Sequence, residues 1–167
     1  MMIDYTFFQD GLLRVDGAMA LATPSPTNEA LTGFISSFIS KYEPEYLRKL
    51  LGDELYNDFL VHENEGDHGA CWEELKSLLV SDYGEFKTSP IANYVYFHLL
   101  RNTHSTATLN GVKADGETNL ISPQRKMVYA WNDMVDSNRR IYVWAARRFK
   151  NIRIDQEMLE PINEFNI

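Results

Sequence analysis

The chain has 167 residues, 44% of them hydrophobic and 13% aromatic, which supplies one core of ordinary size and excludes a disordered polymer. Its formal net charge of −8 excludes a surface that attracts nucleic acid all over, and its single Cys71 excludes an internal disulfide. No apolar run approaches the roughly 20 residues needed to cross a bilayer, and Asp4, Asp10, Arg14 and Asp16 break up the stretch a signal peptide would need, so an intracellular protein is expected.

In chain order, residues 1–26 read as an extended N-terminal arm. Tyr5, Phe7 and Leu13 suggest a short extended piece, Asp10-Gly11 and Asp16-Gly17 are turn dipeptides, and Pro24 and Pro26 oppose a helix. Leu31, Phe34, Ile35, Phe38, Ile39 and Tyr42 then fall on one stripe at three- and four-residue spacing, which predicts a core-facing helix with Thr27 as its N-cap. Pro44 suits the first turn of a second helix, carried by Tyr46, Leu47, Leu50 and Leu51 and stopped at Gly52. Leu55, Tyr56, Phe59 and Leu60 predict a third helix, and Trp72, Leu75, Leu78 and Leu79 a fourth beyond the polar run HENEGDHGA.

Ser89-Pro90 and Ser122-Pro123 each offer an N-cap acceptor followed by a proline at the first helical position, so a helix should open at both places. Between them, the Thr- and Gly-rich segment from Thr106 to Leu120 reads as a loop or small β-hairpin. The last helix is expected from Pro123 to about Asn151, roughly 40 Å at about 1.5 Å per residue, and to be the longest. Its seam is Met127, Trp131, Met134, Asn138, Ile141, Ala145, Arg148 and Ile152, a spacing that packs along another helix or a symmetry mate. The reading is a mainly α helical bundle in which residues 27–154 form the helical domain and residues 155–167 a C-terminal tail that docks on something.

The charge is unevenly spread. From Asn138 to Ile154 there are six basic residues and no acid, whereas twelve acids stand between Glu43 and Glu85 against Arg48, Lys49 and Lys76. Arg139, Arg140, Arg147, Arg148 and Lys150 are the candidate interaction surface, because they interleave with Tyr142, Trp144 and Phe149 as in surfaces that grip nucleic acid by charge and stacking. On a helix Arg140, Val143, Trp144 and Arg147 would share a face. The alternative is a solvated helix face whose aromatics belong to the core.

His62, His68 and Cys71, with Glu63, Glu65 and Asp67, match neither closed zinc spacing nor a calcium loop, so a solvated acidic loop is expected there and no metal or cofactor. No GxSxG, HExxH, P-loop or GxGxxG occurs, and His98 among Tyr94, Tyr96 and Phe97 reads as a packed or half-exposed side chain, so an enzyme is not expected.

The run FISKYEPEYLRKLLGDELYNDFL, followed by SPIANYVYFHLLRNT and KMVYAWNDMV, resembles a family of small helical proteins encoded by phages and prophages of gut Bacteroides-type bacteria, which are similar to head-to-tail connector (adaptor) proteins. The resemblance covers about Leu31 to Phe149 and rests on the positions Tyr42, Leu47, Leu51, Gly52, Tyr56 and Trp131. It implies a homo-oligomeric ring below the portal vertex, with portal and tail proteins as partners and DNA passing through, in the host cytoplasm or the virion. The rival reading is a nucleic-acid-binding or regulatory module that uses the basic helix.

Overall fold

The computed structural model describes residues 1–15, 26–65, 69–83, 86–103, 105–108, 111–114, 123–150 and 152–165. The fold is mainly helical: α1 (Pro26–Glu65), α2 (Ala70–Leu79), a hairpin of β1 (Ser81–Tyr83) and β2 (Phe86–Thr88), α3 (Pro90–Thr103), a hairpin of β3 (Ser105–Thr108) and β4 (Gly111–Ala114), and α4 (Pro123–Ala146). The core lies where α3 packs against both α1 and α4. Its fully enclosed side chains include Ile35, Ile39 and Tyr46 of α1, Ile91, Tyr94 and Tyr96 of α3, and Met134 of α4.

α1 begins at Pro26, one residue ahead of the expected Thr27 cap, and passes through Pro44, where two helices were expected. A proline inside a helix removes one hydrogen bond and costs about 3 kcal/mol. Here apolar side chains on both sides of it, from Ile35 and Ile39 to Tyr46, Leu47, Leu50 and Leu51, are buried against one core, and that burial offsets the loss. The helix breaks at Gly52, the expected stop, with φ 75° and ψ 164°. A Cβ there would meet the Arg153 carbonyl oxygen at 3.2 Å in a backbone conformation that L side chains rarely adopt, so glycine is required twice over. With 40 residues against 24 for α4, α1 is the longer element, and its part before Gly52 already exceeds α4. The longest helix is therefore the first, not the last.

α3 opens as its Ser-Pro signal predicts: Ser89 is buried and its Oγ accepts from the Ile91 amide at 3.2 Å. The corresponding Ser122 lies outside the described residues, although α4 does begin at Pro123. β3 and β4 pair antiparallel from Ser105 opposite Ala114 to Thr108 opposite Gly111, which resolves the Thr/Gly segment as a hairpin over its described part; the rest of it, to Leu120, lies outside the described residues. The β1–β2 hairpin, Ser81 opposite Thr88 and Tyr83 opposite Phe86, was not anticipated.

The described part of the N-terminal arm is not extended. Residues Tyr5–Phe8 and Gly11–Leu13 form 3-10 turns, the first capped by Asp4, whose Oδ1 accepts from the Thr6 amide at 2.9 Å. Ile3, Phe7 and Phe8 are buried, and the Glu43 carboxylate accepts the Met2 and Ile3 amides at 2.8 and 3.2 Å. A buried carboxylate is costly without donors, and these amides supply them. Burial still raises the Glu43 pKa above the usual carboxylate value, although both amides pull the other way.

α4 ends at Ala146, five residues short of the expected Asn151. The Arg148 and Phe149 amides both close on the Ala145 carbonyl, at 3.0 and 2.9 Å, and Phe149 turns onto Trp72 and Trp144 with ring centroids 5.7 and 6.0 Å away. Seam positions Met127, Trp131, Met134, Asn138, Ile141 and Ala145 are all buried, as their spacing predicts, whereas Arg148 is exposed. The partner of this seam includes the C-terminal segment, whose docking surface is its own chain. Asn132 Oδ1 accepts from the Ile162 amide at 2.9 Å and Asn132 Nδ2 donates to the Ile162 carbonyl at 3.1 Å. Trp131 Nε1 donates to the Glu160 carbonyl at 2.9 Å, and Asn138 Nδ2 donates to the Met158 carbonyl at 2.9 Å. Met158 itself is completely buried.

Asn138 is also completely buried and accepts the Tyr46 hydroxyl hydrogen, so one amide links α1, α4 and the C-terminal segment. Asn138→Leu leaves the Tyr46 hydroxyl and the Met158 carbonyl unsatisfied and should cost about 2 to 4 kcal/mol in denaturant melts. Adding Tyr46→Phe to that variant should cost less than the two single losses summed, because the orphaned hydroxyl disappears. Trp131, 8% exposed and packed on Phe97 at 4.8 Å, should cost about 3 to 5 kcal/mol on substitution by Ala, measured the same way.

Candidate interaction surface

The five basic candidates do not share one helical face. Arg139 and Arg140 lie on α4, Arg147 and Arg148 in the turn after it, and Lys150 beyond. Two of them are taken up within the chain. Arg139 donates to the Leu159 carbonyl at 3.0 Å and stands 3.6 Å from Asp136. Arg148 pairs with Glu74 of α2 and lies over the Trp144 ring, 4.9 Å from its centroid. Trp144 Nε1 donates to the same Glu74 carboxylate at 2.9 Å, so this indole faces α2 and not a partner.

The other three remain available. Among the described residues Arg140 reaches only Ser137 Oγ, at 3.1 Å, and neither Arg147 nor Lys150 has a side-chain partner. Val143, 51% exposed, and Tyr142, 40% exposed, are the apolar surface beside them. The expected face of Arg140, Val143, Trp144 and Arg147 thus loses its tryptophan and keeps its charges. Phe149 is likewise occupied in the Trp72–Trp144 cluster, which leaves Tyr142 as the aromatic on offer in the basic stretch.

A groove of about 1060 Å³, which no motif announced, runs between the N-terminal segment, the β1–β2 hairpin, the start of α3 and the middle of α4. Gln9, Lys87, Asn93, Asp133, Asp136 and Arg140 put polar groups of both signs into it. Burial, with the Asp136 charge adding to it, raises the Asp133 pKa above the usual carboxylate value. Three stretches distant in sequence build this groove, the N-terminal segment, the end of α2 through the start of α3, and the middle of α4, so spacing alone could not reveal it.

Of the imagined metal ligands, Asp67 and His68 lie outside the described residues, while His62 packs on Trp72 with centroids 5.2 Å apart. Among the described residues no cluster of His, Cys, Asp and Glu is arranged to hold a metal ion. Likewise, no helix among them is long and apolar enough to cross a membrane. His98 is packed, as its neighbours suggested: it stacks on Tyr42 at 4.1 Å and meets Tyr94 and Phe97 edge-on at 4.5 and 5.3 Å. Burial lowers its pKa to about 4. Comparison of the chain with protein-family models, with curated proteins and with solved structures finds no match.

The His98 shift has a definite sign. Its folded pKa lies below the ordinary 6.5, so the unfolded chain binds the extra proton first. The neutral ring's contribution to stability is present above about pH 6.5 and is lost as pH falls toward about 4. Thermal melts across that range should show the wild type losing stability more steeply than His98→Phe, which keeps the stack but cannot titrate.

Proposed function

We propose that this chain is a non-enzymatic structural adaptor that acts by self-association, of the kind that joins the heads and tails of phages or prophages as a ring. The observation that carries the reading is the charge left over once the internal pairs are set aside. Arg140, Arg147 and Lys150 remain without carboxylate partners among the described residues, around Val143 and Tyr142, on a chain whose net charge is −8. Such a basic face gains more from another acidic protein surface than from water, and complementary charge speeds and orients that encounter. The strongly shifted imidazole of His98 is enclosed by aromatic rings, which suits packing better than proton transfer. The resemblance of Leu31 to Phe149 to phage connector proteins supplies the narrower role, with portal and tail proteins as partners.

The second reading, a nucleic-acid-binding module, is disfavoured by the inward turn of Trp144 and Phe149, which removes two of the three stacking surfaces from the basic stretch. Sedimentation of the purified chain over a range of concentrations and salt tests both. The wild type should associate without DNA and do so less at high salt, and Arg140→Glu with Arg147→Glu should weaken association while changing stability by about 0 to 1 kcal/mol per site. A monomer at every concentration that binds DNA in a salt-dependent way would establish the second reading instead.

A further inference from the structure

The acidic middle of the chain divides as the basic end does. Glu43 accepts the Met2 and Ile3 amides, Glu45 accepts the Tyr94 hydroxyl hydrogen at 2.7 Å, Glu63 and Glu73 pair with Lys76, and Glu74 takes Arg148 and Trp144. Among the described side chains of that region, Asp53, Glu54 and Asp58 are left, exposed and without a cationic partner. They lie in α1 just after the Gly52 break. Glu54, Asp58 and Val61 follow each other at four- and three-residue spacing, so they form one stripe, while Tyr56 and Phe59 on the opposite side are buried in the core. Val61 is 50% exposed, which gives this acidic stripe an apolar end, as Val143 stands beside Arg140.

The two surfaces match in kind and oppose in sign. Arg140 and Val143 stand three residues apart near the end of α4, with Arg147 in the turn just after it, while Glu54, Asp58 and Val61 follow each other at four and three along α1. We infer that the occupant of the basic face is a second copy of this chain, which presents the stripe of Glu54, Asp58 and Val61. The inference rests on the self-association proposed above and names the two faces that meet. Because the faces differ, each copy carries one of each, and the contact repeats from copy to copy in the head-to-tail manner that closes into a ring when the rotation allows. Opposite charge beside a small apolar patch makes a contact that is specific in register and weakened by salt.

A charge-swap experiment on the full chain tests the pairing. Glu54→Lys with Asp58→Lys makes one variant and Arg140→Glu with Arg147→Glu the other, each checked for folding by circular dichroism, with sedimentation velocity as the readout at about 50 and about 500 mM salt, where screening is weak and strong. Each variant alone should need at least about tenfold more protein than wild type to associate. An equimolar mixture should recover wild-type association, because the reversed faces now attract each other. If either reversal disturbs the fold, the neutral pair Glu54→Gln with Asp58→Asn takes its place and should weaken association in the same direction. Wild-type association that survives the α1 substitutions, or a mixture that does not recover, overturns the pairing and leaves the adaptor reading standing. A wild type that stays monomeric throughout overturns both.

Discussion

The amide of Asn138 is the constraint on which the rest of the arrangement depends. An amide fully removed from water is tolerated only when its oxygen and nitrogen both find partners, and here those partners lie on two other parts of the chain. The Tyr46 hydroxyl fixes the rotation of α1 against α4, and the Met158 carbonyl fixes where the C-terminal segment crosses. A leucine at position 138 would fit the apolar seam of Met134 and Ile141 but would leave both partners stranded. The seam therefore carries a polar residue at its centre that selects one packing among the several an apolar stripe would accept.

Much of the helical framework is legible in local chemistry. Ser89 caps because its oxygen reaches the Ile91 amide, Gly52 stops a helix because its φ is positive, and the α4 seam is buried because its spacing keeps those residues on one side. Local chemistry misleads where tertiary packing outweighs it. Pro44 looks like a boundary, yet Ile39 and Tyr46 on either side of it are buried in one core and the helix continues. The turns of residues 5–13 escape notice for a related reason. The chain leading into them is held at Met2 and Ile3 by Glu43, some forty residues away, which no local pattern indicates.

The candidate surface is half legible. Its charges can be counted along the chain, but which of them are spent is decided by the fold. Arg148 and Glu74 are 74 positions apart and neutralise each other, and Trp144, which on a helical wheel belongs beside Arg140 and Arg147, turns toward that same glutamate. What survives the subtraction on both sides is smaller and more sharply placed than the raw distribution of acids and bases, and it is the survivors that define the faces on α1 and at the end of α4.

The grip of α4 on the C-terminal segment has an evolutionary reading. Asn132, Trp131, Asn138 and Arg139 all address main-chain groups, at Ile162, Glu160, Met158 and Leu159, and main-chain groups are the same whatever side chain is attached. Of these segment residues Met158 is the one whose side chain is wholly enclosed. The exposed positions of 155–165 are therefore freer to drift in sequence so long as positions 158 and 162 stay apolar and the backbone keeps its course, while positions 131, 132 and 138 are not. Relatives of this chain would keep the clasp and vary the strap.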